Sequence, residues 1–422
     1  MTARLLSGSV IALLLSAPSA ESADRDQFWP QWRGPLFTGA APQGNPPAEW
    51  SETKNVKWKV EVPGLGSGTP VVWGDAIYVT TAVPTGAASG PHRFTLLAIG
   101  RKDGKTLWQK ALREEVPHEG HHATNTFASA SALTDGEHVY AFFGSRGLYA
   151  LDLKGNVKWE KDLGDMSIKM GFGEAASPAL HGDRLVVNWD HEGESFIVAL
   201  DKRTGKEIWR VPREEKTSWS TPLVVEHAGR AQVITSATSR VRSYDLATGE
   251  LVWQASGMTA NAIPTPVHAD GIVYLTSGFR GNALMAVKLA DAKGDITSTP
   301  AVIWRYDRDT PYVPSPLLYG GALYFLKSNS GVLSAFDAKT GTRLYGEQRL
   351  EGVANVYASP IGAGGRIYVA GRDGAVAVVQ QGPEFKLLGT NRLDDGFDAS
   401  PVAVGDELYL RGRKFLYRIS TN

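Results

Sequence analysis

The densest run of potential metal ligands in the chain is His118-Glu119-Gly120-His121-His122. Three imidazoles and a carboxylate within so short a stretch could ligate a transition metal. The order is not that of a helical zinc motif, and Gly120 argues against a helix, so the competing reading of His118, His121 and His122 is a solvated loop. A second cluster, Asp394-Asp395 with Asp398, has the composition for acid/base work or for calcium, and equally for a polar turn. There is no nucleophile elbow and no phosphate-binding glycine loop. Cysteine is absent, which removes disulfides, thiolate catalysis and a lipid-modified N-terminal cysteine.

These residues must be positioned by a repeat. A strand-opening dipeptide recurs at Thr69-Pro70, Ser177-Pro178, Thr221-Pro222, Thr265-Pro266, Ser315-Pro316, Ser359-Pro360 and Ser400-Pro401, with Ser131-Ala132 filling the gap. Proline can open a strand because its missing N–H is not yet needed by a ladder partner. A glycine turn and an apolar strand follow each opener, and an aromatic recurs late in the units at Trp58, Trp108, Trp159, Trp209, Trp253, Trp304 and Tyr345. Units of about 40–50 residues holding four short strands predict an all-β fold: an eight-bladed β-propeller of four-stranded antiparallel blades. The last unit has material for three strands, whereas Asn55–Val62 carries Trp58 with no hairpin before it. The N-terminal strand is therefore expected to complete the C-terminal blade. The expected divisions are a leader over 1–23, an irregular strap over 24–54 and the propeller over 55–422. The strap is expected to be ordered, since its three tryptophans would waste apolar area in water.

In such a ring the loops before each first strand and between the second and third strands share one face. Every second-to-third turn carries a cation except the one with Asp190-His191-Glu192; Arg280 and Arg372, flanked by glycines, are the preferred members. A ring of guanidinium groups would focus potential on an anionic ligand, or the tips are simply solvated. Residues just before the openers reach the same face: Asn125, Glu174, Trp219, Asn261, Tyr312, Tyr357 and Asp398. Aromatics beside hydrogen-bonding groups suit a planar or sugar-like ligand. The alternative is that Trp219 and the tyrosines plug the channel.

The pattern Ala199-Leu200-Asp201, Thr204-Gly205, Trp209, with related copies at Ala150-Leu151-Asp152, Ser243-Tyr244-Asp245 and Ala335-Phe336-Asp337, resembles the repeat of pyrroloquinoline-quinone (PQQ) dehydrogenase propellers and their non-catalytic relatives. Those relatives include the propeller lipoprotein of the outer-membrane β-barrel assembly machinery. The resemblance covers Val56 to the C-terminus and implies the fold without assigning an activity. The leading expectation is a non-catalytic exported module whose channel face binds a partner protein or an anionic small molecule. The rival is a quinoprotein oxidoreductase, in which the resemblance would set Glu174, Asn261 and Asp307 or Asp309 toward calcium and loop cations toward the carboxylates of PQQ. A third reading is a carbohydrate-binding or carbohydrate-cleaving propeller.

Bulk composition narrows the partners. The 422 residues carry 44 basic and 44 acidic side chains, so nothing favours nucleic acid or an anionic membrane, and any charge-based recognition is local. Arg4, the apolar run Leu5–Leu15 and the small residues to Ala23 predict a cleaved secretory signal too short to span a bilayer. The expected product is monomeric, without a transmembrane segment, and periplasmic or secreted.

Overall fold

The structure, a computed structural model, describes residues 25–87 and 89–421. The expected leader, 1–23, lies outside the described residues. The chain forms eight antiparallel four-stranded sheets arranged as the blades of a propeller, and two of these sheets gain a short fifth strand. Blade 3 shows the plan: strands Ala179–His181, Arg184–Trp189, Phe196–Asp201 and Glu207–Pro212 pair in sequence order.

Burial explains the residue pattern along each blade. A middle strand such as Phe196–Asp201 is covered on both faces by neighbouring blades and is apolar almost throughout. An outermost strand such as Val56–Glu61 has one exposed face and alternates strictly. The core is therefore a set of layers between adjacent blades.

Two contacts repeat from blade to blade. The outer-strand tryptophan lies on the glycine of the next blade's last hairpin and donates its indole N–H to a carbonyl there: Trp108 to Leu153 at 2.9 Å, Trp159 to Lys202 at 3.0 Å, Trp209 to Leu246 at 2.9 Å. Near the axis, the backbone N–H of seven of the eight openers donates to the hydroxyl of the next opener. Thr69 gives to Ser131, Ser131 to Ser177 and Ser177 to Thr221; beyond the gap, Thr265 gives to Ser315, Ser315 to Ser359, Ser359 to Ser400 and Ser400 back to Thr69, at 2.8–3.3 Å. At the one remaining junction the Thr265 hydroxyl accepts the indole N–H of Trp32, 3.0 Å away.

Trp32 belongs to the strap, which crosses the face carrying the first-to-second turns. Trp29 bridges Val72 of blade 1, Thr134 of blade 2 donates to the Pro30 carbonyl, and Ala40–Ala41 pairs in parallel with blade 7. The chain then enters blade 8 as the outermost strand, Val56–Glu61, antiparallel to Phe415–Ile419. The ring thus closes by joining the two ends of the propeller, which leaves no open sheet junction.

In blade 5 the last hairpin is replaced by an excursion whose short strand Gly294–Asp295 pairs in parallel with the outer edge of blade 4. Trp253, robbed of a hairpin to sit on, is fully buried and bonds the Gln232 side chain.

Candidate functional site

The loops leading into the openers and the second-to-third turns meet on one face, as expected for this ring, and form a funnel. Its central cavity, about 130 Å³, is lined by opener hydroxyls and ends at Trp32, so the strap makes it a blind pocket. Arg33 completes the plug. Its guanidinium, wholly buried, donates to the carbonyls of Pro316 (2.8 Å), Pro360 (3.0 Å) and Thr38 (3.4 Å).

Most of the polar groups on this face are engaged in holding it together. Glu174 accepts the backbone N–H of Ser145 at 2.8 Å and its hydroxyl at 2.5 Å, with Arg146 at 3.4 Å. Burial raises the Glu174 carboxyl above its usual value, and these donors only partly offset that. Asn125 donates to the Phe172 carbonyl and accepts from Ser129. Asn261, buried and in the left-handed region at φ +56°, accepts from Lys169 Nζ at 3.2 Å. Asp398 takes Arg372 on one oxygen at 2.5 Å and Arg413 on the other at 2.9 Å.

The cations of the second-to-third turns are largely matched by carboxylates. Arg93 pairs with Glu114, Arg146 with Glu115 and Glu174, Arg240 with Asp295, Arg242 with Glu215 and Lys327 with Asp309. The expected ring of free positive charge is thus neutralised around most of its circumference. Arg280 is exposed, sits over the Phe279 ring and makes no ion pair among the described residues. The acidic turn that interrupts the ring is structural: Asp190 and Arg213 form a two-bonded pair, both 0% exposed, and Arg213 also reaches Tyr244 and Thr235.

The aromatic residues offer little free surface. Trp219 is buried and its N–H is held by the Gly173 carbonyl at 2.7 Å. Tyr312 stacks on Phe279 at 4.9 Å, and Tyr357 carries the Arg372 guanidinium at 4.5 Å.

Neither candidate metal set comes together. His118 bonds the carbonyl of Met166 in a distant loop, while His121 bonds the His122 carbonyl and His122 the Thr124 hydroxyl within their own turn. Among the described residues no group of three or more His, Asp or Glu side chains is placed to hold a metal ion. The calcium set fails for the same reason: Glu174 and Asn261 already accept from N–H, O–H and ammonium donors, Asp309 is paired with Lys327, and Asp307 lies exposed beside Arg308. These four residues do not come together as a calcium site. Asp395 likewise caps the last turn of the chain, accepting from the backbone of Arg413 and Phe415, while Asp394 stays in solvent.

The family model described as outer membrane protein assembly factor BamB matches residues 48–193 and 193–420, nearly the whole described propeller. The chain belongs to this family. BamB of Yersinia pestis is 24% identical over 346 residues, spanning 78% of this chain and 80% of its own length. The crystal structure of BamB from Moraxella catarrhalis shares the fold with a TM-score of 0.60 at 16% identity, over 86% of this chain and 99% of that one. A europium-containing methanol dehydrogenase superposes at a TM-score of 0.66 with 12% identity, over 92% of this chain and 90% of its own. The BamB family and the dehydrogenases thus share the ring, and the ring alone does not choose between them.

Sequence reasoning gives the ring and its closure. It missed Trp32, Arg33, Lys169 and Arg213. Of these only Trp32 and Arg33 stood in a conspicuous run, Trp29-Pro30-Gln31-Trp32-Arg33-Gly34-Pro35.

Proposed function

We propose that this propeller is an exported, non-catalytic scaffold that binds a partner protein during outer-membrane protein assembly, using the funnel face. One observation carries the reading. On a face whose carboxylates are committed to internal bonds, a contiguous rim stays available: Lys169 bonds Asn261, Tyr312 stacks on Phe279, and Arg280 stands exposed beside them. Met170, next to Lys169, is 79% exposed at φ +53°. An exposed Met and Arg beside a half-buried aromatic pair on a rigid frame have the composition of a protein-binding surface, not of a reaction centre. Membership of the BamB family supports the process, and the predicted leader over 1–23 supports export.

The test is cross-linking in the cell. A photo-reactive residue at Met170 or Arg280 should capture another envelope protein, whereas one at Leu107, exposed on the outer edge of blade 1, should not. Deleting the gene should lower the amount of folded β-barrel protein in the outer membrane. Unchanged barrel levels together with no adduct at either rim position would overturn the proposal.

A further inference from the structure

Among the described residues two buried arginines, Arg33 and Arg411, have no carboxylate partner, and they end differently. Arg33 meets the three backbone carbonyls of the plug. Arg411, at the end of the second strand of blade 8 and 2% exposed, meets only the Gly68 carbonyl, 3.1 Å away, among the described residues. Burial lowers both guanidinium groups to about 9, because water is lost and no carboxylate is gained. Gly66 makes the arrangement possible, since a side chain there would overlap the Arg411 guanidinium.

Arg411 is part of the wall of a cavity of about 270 Å³ between blades 7, 8 and 1. Arg372 and Arg413 stand in the same wall. Each gives its Nε–H to a different oxygen of Asp398, so that carboxylate is fully used. The Nη groups of both have no acceptor among the described residues. Stacking on Tyr357 fixes the plane of Arg372. Three guanidinium groups against one committed carboxylate leave an excess of positive charge and of unmet N–H donors around one hollow.

We propose that this cavity is an oxyanion site, taking a small solute that bears a carboxylate or phosphate group. The ligand's oxygens would supply the acceptors that Arg411 and the Nη groups of Arg372 and Arg413 lack. A buried cation without acceptors is unfavourable by itself, and planar guanidinium groups match such oxygens two at a time. The volume lies just below the range of about 300–1,000 Å³ typical of sites for larger ligands, which favours a small anion. The site is separate from the rim at Met170 and Arg280 and does not depend on the partner-binding reading.

Inorganic phosphate and succinate, each titrated into the full chain at about 0.1 M background chloride, test the site by calorimetry and by melting temperature. At least one anion should bind saturably and raise the melting temperature; which of the two does so assigns the ligand as a phosphate or a carboxylate. Arg411→Met should abolish the response, and because it removes an uncompensated buried charge it should still fold. Arg413→Gln, at a side chain that reaches solvent, should weaken binding by about 10-fold or more and keeps the test alive if Arg411→Met fails to fold. Arg280→Gln should bind as the parent does. Absence of saturable binding by either anion, or equal affinity in the parent and in Arg413→Gln, would overturn the site.

Discussion

Glu174 shows what the sequence could and could not say about single residues. Its place on the funnel face follows from its distance to the opener Ser177, and that much was legible. Its bonds to Ser145 and Arg146 were not, because those partners come from the neighbouring blade's turn, about 30 residues away in sequence. The same holds for Asp190 and Arg213: the sequence shows an acidic turn in a basic ring, and only packing brings the guanidinium against it at 2.7 Å. Breaking such a buried pair from one side costs about 3–5 kcal/mol, so its role is to fix the blade 3 loops. Glu174 also carries a pH signature. Its carboxyl in the folded protein sits above the ordinary 4.5, so over the interval just above 4.5 the folded state holds a proton that the unfolded chain has released. Stability contributed by this group is therefore present at low pH and declines as pH rises through that interval. Glu174→Gln should flatten the fall; melting temperatures measured across the acid range with the same slope in both proteins would contradict it.

At the scale of elements, the repeated tryptophan was legible as an anchor between blades, and its partner was not. The indole needs a hairpin glycine in the next blade for two reasons at once. Gly205 lies at φ +68°, and a Cβ there would come within 2.7 Å of the Trp159 ring. Gly182 has a similar φ of +57° with nothing within 4 Å, which isolates the backbone effect. Gly182→Ala should cost about 1 kcal/mol, from left-handed strain alone. Gly205→Ala should cost roughly 1–3 kcal/mol more, from crowding of the indole, as read by urea denaturation. Equal losses would mean that the glycine serves the turn and not the anchor. The openers teach a related lesson. Proline drew attention because it punctuates, yet Ser131-Ala132 lacks it and keeps the hydroxyl. The ring of N–H to hydroxyl bonds explains why: the acceptor oxygen is needed at every junction, whereas any residue able to begin a strand can follow it.

At the scale of the molecule, ring closure was legible because a missing strand at one end matched a spare strand at the other. The seam is reinforced by charge. Glu407 of blade 8 is bonded by Arg101 of blade 1 and by Arg418 of its own blade; burial would raise its carboxyl, but Tyr409 and the two arginines outweigh it and hold it below its usual range. Deleting 415–422 removes Leu416, Tyr417 and Ile419, each 0% exposed, together with the only ladder partner of Val56–Glu61 among the described residues. Each such side chain contributes about 1.5–3 kcal/mol, so the truncated chain should lose its single cooperative unfolding transition and become readily digested by protease. A truncated protein as stable as the parent would disprove the seam. The ligand was not legible at this scale, since rings of the same shape serve both the BamB family and the dehydrogenases. The seam has one more consequence, and it concerns time. Val56–Glu61 is made early and its partner Phe415–Ile419 is made last, so during synthesis the first propeller strand waits, unpaired, for nearly the whole chain to appear. The strap waits with it, because its anchors are spread over blades 1, 2, 5, 6 and 7. An edge strand and several tryptophans held open for that interval are a standing invitation to aggregation, so successful maturation of this protein depends on how quickly its tail follows its head.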